Sequence, residues 1–229
     1  MSVEFTQNDI DHFLYLVAKE YKKSNRKGDD AELILVGGVA ILLNYHFRAN
    51  TMDFDAIIKA TSVMKDAINR VTDSNNLPNF WLNSDFIRTS SYSPKIALYS
   101  KFYRRFCNCL NVRTISKEYL LAMKLRAMRN YKHDLSDVVG IIKEQEEMLD
   151  PISIEQISKA YECLYDTEIP QESYKFLEEI YQQEDLEEYF YSMQDKEEAN
   201  RGALLKAEEK YGDVINDENV LSFIDFFHE

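Results

Sequence analysis

The stretch "LILVGGVAILLNYHFRANTMDFDAII", Leu33 to Ile58, decides the fold. An apolar run leads into Gly37-Gly38, a second apolar run follows at once, and two aspartates one residue apart, Asp53 and Asp55, come near the end. A short apolar run stopped by glycine predicts a buried strand over Glu32–Val36. Val39–Tyr45 then reads as a helix starting directly on the glycines, and Met52–Lys59 as a second strand. On that strand Asp53, Asp55 and Ile57 share one face, with Phe54, Ala56 and Ile58 on the other. A strand, a glycine pair and a helix leave backbone N–H groups at a helix N-terminus, where phosphate oxygens are readily held. Glycine lets a ligand come close because no side chain intervenes. A tight turn explains the pair as well. The aspartates are open in the same way. Two same-face carboxylates repel each other unless a cation lies between them, and Mg²⁺ shares its shell between carboxylates and substrate phosphates. The other reading is the wet face of an edge strand.

Outward from this stretch, residues 7–24 carry Ile10, Phe13, Leu14, Val17 and Tyr21 at helical spacing. The polar break "KKSNRKGDD", with Gly28, separates that helix from the first strand. Ser62 is placed to cap a helix over 63–73. Residues 76–106, with their serines, aromatics and Pro94, predict short strands and loops. Asn108–Thr114 predicts a strand on which Cys107 and Cys109 alternate as small apolar residues. Ser116 then stands before the helix "KEYLLAMKLRAMRN" and Asp134 before the helix "LSDVVGIIKEQEEML". Past Pro151, glycine and proline are scarce and apolar residues recur at helical intervals. The pattern predicts an α/β (α+β) domain, a small mixed sheet flanked by helices over residues 1–149, and an acidic all-helical domain over 150–229.

Lys124 is the most informative single residue. On a wheel of about 100° per residue it falls between Leu120, Leu121, Ala127 and Met128, inside the apolar arc, while Arg126 and Arg129 fall opposite. A lysine there either snorkels to the helix edge or meets an anion, a phosphate or a carboxylate. Asp134 is placed as a helix N-cap, with Asp137 one turn on, and His133 reads as a loop histidine. Tyr99, Tyr103 and Tyr131 lie among basic residues, where they either stack on bases or pack in the fold.

Composition narrows the class. The 229 residues are 45% hydrophobic and 29% charged, as in ordinary globular proteins. No apolar run nears the roughly 18 residues of a membrane span, and "MSVEFTQNDIDHF" is too acidic and polar for a secretory signal. The odd cysteine count, 3 with no CxxC, gives neither a disulfide framework nor a zinc site and fits a cytoplasmic protein. The net charge of −13 is unevenly spread. Residues 150–229 hold 22 acids against 6 bases, leaving 18 acids and 21 bases before them. Arg88 to Lys132 holds 11 bases and one acid, Glu118. This basic middle either faces an anionic ligand or solvates its own surface.

"LVGGVAILLNYHFRANTMDFDAII" followed by "VRTISKEYLLAMKLRAMRNYKHDLSDVV" resembles the AbiEii-like (MenT-like) nucleotidyltransferases of the DNA polymerase β superfamily, a group that includes toxins of toxin–antitoxin systems. The resemblance spans residues 30–142 and rests on several parts in order: the glycine pair, a Thr-x-Asp-x-Asp strand, a lysine helix and a Lys-x-Asp-x-x-Asp helix start. It implies that Gly37, Gly38 and Thr51 cradle a nucleoside triphosphate, that Asp53 and Asp55 hold Mg²⁺ or Mn²⁺, and that Lys124 and Asp134 complete the active site. The implied reaction moves a nucleoside monophosphate from an NTP to a hydroxyl on tRNA, other RNA or protein. Two departures stand out. The strand "CNCLNVRT" offers Asn108 and Asn111 where relatives carry a third carboxylate, and the usual Gly-Ser is Gly-Gly. Either Asp134 substitutes for the missing acid, or the chain is a degenerate, non-catalytic module that binds a cognate partner protein through its acidic tail. No membrane partner is expected.

Overall fold

The structure is a computed structural model that describes residues 4–25, 29–216 and 219–228. Gly28, in the expected polar break, lies outside the described residues. The chain forms two compact units. Residues 1–123 with 156–168 make the first, and 124–155 with 169–229 the second.

The first unit is built on a five-stranded mixed sheet of order β3-β2-β1-β5-β4. Its strands are β1 (Ala31–Leu35), β2 (Phe54–Lys59), β3 (Leu82–Asn83), β4 (Ser100–Phe106) and β5 (Leu110–Ile115). β1 pairs antiparallel with β2, Leu35 opposite Ala56, and parallel with β5, Leu35 opposite Thr114. One face of the sheet presents Leu33, Leu35, Phe54, Ala56, Leu110 and Val112 to the core. Helix α1 (Gln7–Ser24) lays Ile10, Leu14, Val17 and Tyr21 on that core, and α3 (Val63–Asn75) adds Met64, Ala67 and Val71. Phe5, Phe54 and Trp81 pack ring on ring beneath, with centroids 5.0 to 5.9 Å apart. The other face carries Glu32, Ile34, Asp55, Ile57, Asn111 and Arg113. The expected α/β class holds, and the aspartate strand alternates from Phe54 onward, with Met52 and Asp53 of the expected Met52–Lys59 strand lying outside it.

Helix α2 (Gly37–Asn44) begins directly on the glycines, and the four-residue α4 (Ile96–Tyr99) precedes β4. Helix α5 (Lys117–Ala127) follows β5, and α7 (Ile154–Tyr165) belongs mainly to the first unit. The end of α7 ties to the segment before β4. Ser93 Oγ donates to the Leu164 carbonyl, Tyr165 Oη to the Ser91 carbonyl, and Lys95 pairs with Asp166.

The second unit is helical: α6 (Asp134–Glu147), α8 (Gln171–Tyr181), α9 (Leu186–Tyr211) and α10 (Val220–His228). Asp185 caps the 26-residue α9 by accepting from the Glu187 and Glu188 N–H groups. Asn200 of α9 donates to the Asn130 carbonyl and meets His228 of α10 through its side-chain oxygen.

Four local expectations are corrected. Ser62 sits at the N-cap of α3 in right-handed helical backbone, so its side chain makes no cap hydrogen bond. Cys107 and Cys109 do not alternate on a strand. Cys107 and Asn108 are both left-handed (φ 49° and 57°) and form the turn between β4 and β5, closed by Cys109 N–H to the Phe106 carbonyl. The helix expected to reach Asn130 stops at Ala127, where Met128 turns left-handed and its N–H still reaches the Lys124 carbonyl. Asp134 is the first residue of α6 rather than its cap, a place taken by His133, whose side chain makes no cap hydrogen bond.

Candidate functional site

Within the first unit the opening stretch closes on itself. The chain leaves β1 through Val36, in extended backbone, and Gly37 takes φ +62°, a conformation that costs an ordinary side chain strain. Val36 N–H donates to the Asp55 carbonyl, so the aspartate strand is fixed beside the start of α2. A Cβ on Gly37 would stand 3.1 Å from Asp55 Oδ2. A Cβ on Gly38 would stand 2.6 Å from Thr51 Oγ1 and 3.1 Å from Arg48 Nη2. Each glycine therefore makes room for a named polar group. Gly37, Gly38, Thr51 and Asp55 are brought together, and Asp53 lies one residue before β2.

Arg48 is a candidate site residue that the sequence alone did not single out. After α2 the chain doubles back over Tyr45–Asp53, which returns Arg48 and Thr51 to the start of the helix. Arg48 Nε donates to the Asn50 carbonyl, and Thr51 Oγ1 to the Asp53 carbonyl. Thr51 is buried and bonded both ways to the Phe5 backbone. The signal was a lone arginine in the short connection between the glycine helix and the aspartate strand. Its meaning depended on the direction of that connection, which spacing alone does not give. The start of α2 thus combines helical N–H groups and a guanidinium, both suited to an anion, with the Thr51 hydroxyl turned to the Asp53 carbonyl.

In the second unit, Lys124 meets carboxylates. Its side chain is 11% exposed, and Nζ stands 2.8 Å from Asp134 Oδ1 and 2.7 Å from Asp137 Oδ2. The carboxylate alternative for this lysine therefore holds, and snorkelling does not. Arg129, free of the helix because α5 stops early, swings onto Asp134 Oδ2 at 2.6 Å. Burial raises the Asp134 pKa, but the Lys124 and Arg129 charges outweigh it and hold the carboxyl well below the usual range. Both Asp134 oxygens serve these cations, so it is poorly placed to replace a missing metal ligand.

The donor set of Asp53 and Asp55 fits a small divalent ion. It offers hard carboxylate oxygens at the start of β2, Asp53 just before the strand and Asp55 within it, and Mg²⁺ is commonly held by one or two carboxylates plus phosphates and water. On the Asp55 face, β5 presents Asn111 and Arg113, with no acid. Among the described residues no group of three His, Cys, Asp or Glu side chains is placed to hold a metal. A bound ion would take its remaining ligands from the substrate.

The basic stretch is largely neutralised by carboxylates from outside it. Lys95 pairs with Asp166, Arg104 with Asp11, Arg105 with Asp30 and Arg113 with Glu32. Lys124 and Arg129 take Asp134. All three tyrosines pack: Tyr99 stacks on Tyr119 at 4.0 Å, Tyr103 Oη donates to Asp11, and Tyr131 lies against the Ala203, Val220 and Ile224 cluster.

Residues 12–190, well over half of the chain, fit the model of a family described as a nucleotidyltransferase of unknown function (DUF6036). No curated protein and no solved structure matches.

Proposed function

The chain belongs to that family of nucleotidyltransferases, and from this premise we propose that it transfers a nucleoside monophosphate from an NTP to a hydroxyl acceptor, releasing pyrophosphate. The observation that carries the reading is the close approach of Asp55, Thr51 and Arg48 to Gly37-Gly38. In this reading the N–H groups at the start of α2 and the Arg48 guanidinium hold the triphosphate, and Thr51, against Gly38, sets the wall of that cradle. Asp53 and Asp55 would hold Mg²⁺ or Mn²⁺. When bound, such an ion supplies charge neutralisation to the phosphates and acidifies a coordinated hydroxyl. The remaining contribution of the chain is electrostatic and positional, with donors fixed before the substrate arrives. Lys124 is the proposed cation for developing phosphate charge, with Asp134 anchoring it.

The order of motifs supports placing the chain with the AbiEii-like, MenT-like members, and with them a toxin–antitoxin role, a cytoplasmic setting and RNA or protein as acceptor. The family match favours transfer over the interaction-module alternative. The test is incubation with each α-labelled NTP and Mg²⁺ or Mn²⁺, together with total RNA or protein. Label should enter one acceptor pool, and Asp53→Ala or Asp55→Ala should abolish it. Undiminished labelling in both variants would remove the metal assignment.

A further inference from the structure

Helix α6 carries Asp134 and Asp137, the two anchors of Lys124, yet its own sequence does not cap it. Its first intrahelical bond is Asp137 N–H to the His133 carbonyl, so the N–H groups before it need partners from elsewhere. His133, at the N-cap, makes no side-chain hydrogen bond to them. The partner comes from 61 residues away. Glu197 of α9 is 2% exposed, and its Oε1 accepts from Leu135 N–H at 2.7 Å and Ser136 N–H at 3.4 Å. Its Oε2 accepts from Ser136 Oγ. A carboxylate there also complements the positive end of the helix dipole.

We propose that Glu197 is a positioning residue: it fixes the first turn of α6 and thereby the Asp134 and Asp137 carboxylates that hold Lys124. Three facts make this more than general packing. Glu197 spends both oxygens on consecutive residues of α6, and these lie between the two aspartates that bind the ammonium. It stands beyond residue 190, where the family match ends, so the acidic C-terminal segment supplies a working part of the lysine cluster. Burial, with Asp137 close by, pushes the Glu197 carboxyl up to about 7. The protonated carboxyl still accepts from both N–H groups and can donate to Ser136 Oγ, so the cap survives titration.

The proposal rests on Lys124 being the phosphate-charge cation, and its test separates the two. Lysine acetylation, followed residue by residue by mass spectrometry on the full chain, reads the protection of Lys124 without any need for activity. In the wild type Lys124 should be among the slowest lysines. Glu197→Ala should raise its rate about fivefold or more as the ion pairs loosen, leaving exposed Lys59 and Lys206 unchanged. Glu197→Gln keeps an acceptor for the two N–H groups and should restore protection to within about twofold of the wild type. If Glu197→Ala does not fold, Ser136→Ala, which removes one of the three donors, should still raise the Lys124 rate. An unchanged Lys124 rate in folded Glu197→Ala or in Ser136→Ala overturns the proposal. Where Lys124 is released but nucleotide transfer is unaffected, Glu197 positions the cluster and the role given to Lys124 is wrong.

Discussion

At the scale of residues, the glycine pair makes a prediction with an internal control. A Cβ at residue 38 meets the buried, β-branched Thr51 at 2.6 Å. Gly38→Ala should therefore cost about 1–3 kcal/mol in urea unfolding, the range of an overpacked site. Gly37→Ala adds left-handed strain to a contact with Asp55 and should cost about 1 kcal/mol or more. Gly202, inside α9, has nothing within 4 Å of its Cβ position. Gly202→Ala should stabilise by up to about 1 kcal/mol through helix propensity alone. Equal effects at all three positions would show that crowding at α2 is not real. The pair itself was legible in the sequence because glycine is rare in an apolar run and its cause is local. Arg48 was not, because nothing in a string of residues says that the chain after α2 returns to its start.

Lys124 shows how far a wheel can carry a reading. Its place in the apolar arc called for an anion, and the structure supplies two buried carboxylates. Lys124→Met would leave Asp134 and Asp137 short of a cation, a loss of about 3–5 kcal/mol. The acid limb of stability should report the same cluster. The Asp134 carboxyl is held below its unfolded value, so its contribution is present above that value and is lost as pH falls through the folded one. Thermal unfolding of the wild type should therefore weaken below about pH 4, and Lys124→Met should show a shallower acid limb. An acid limb as steep in the variant as in the wild type would mean that other carboxylates set it.

At the scale of elements, the sequence marked where helices and strands begin better than where they end or what caps them. Strand β2 and helix α1 follow from period and burial. The early stop of α5 at Ala127 does not, since Met128 is a good helix former and turns left-handed only where tertiary packing requires it. Asp134 looked like a cap because aspartate before an apolar helix usually is one. Here its oxygens went to Lys124 and Arg129, and the cap came from α9. That cap has a pH signature. Glu197 is raised from 4.5 to about 7, chiefly by burial, with Asp137 of α6 adding to the shift and Lys196, Glu179 and His228 lining the adjoining 520 Å³ cavity. Between those two values the folded protein holds a proton that the unfolded chain has lost, so stability falls as pH rises. The span amounts to about 3 kcal/mol. Glu197→Gln has no such titration. Its stability relative to the wild type should increase from about pH 4.5 to about pH 7 and level off above, and a constant difference would contradict the raised carboxyl.

At the scale of the whole molecule, charge decides how the acceptor is to be sought. The chain carries −13 overall, and six of the eleven bases between Arg88 and Lys132 are matched by carboxylates from outside that stretch. The sequence showed the excess of bases but not their partners, because Asp11, Asp30, Glu32 and Asp166 lie far away in the chain and reach them only through the fold. A surface balanced in this way gains little from releasing counterions. Each single-strand phosphate contact contributes about −0.7 to the slope of log K against log salt, so contact through this stretch with its six ion pairs closed should give a slope no steeper than about −4. Anisotropy titration of a labelled oligoribonucleotide across a KCl series should therefore show weak binding with a slope no steeper than that. A steeper slope would require the ion pairs of β4 and β5 to open onto RNA or bases outside this stretch to join the contact. A shallow slope together with label incorporated from NTP would direct the search to an acceptor recognised by shape and hydrogen bonds, whether an RNA end or a protein hydroxyl.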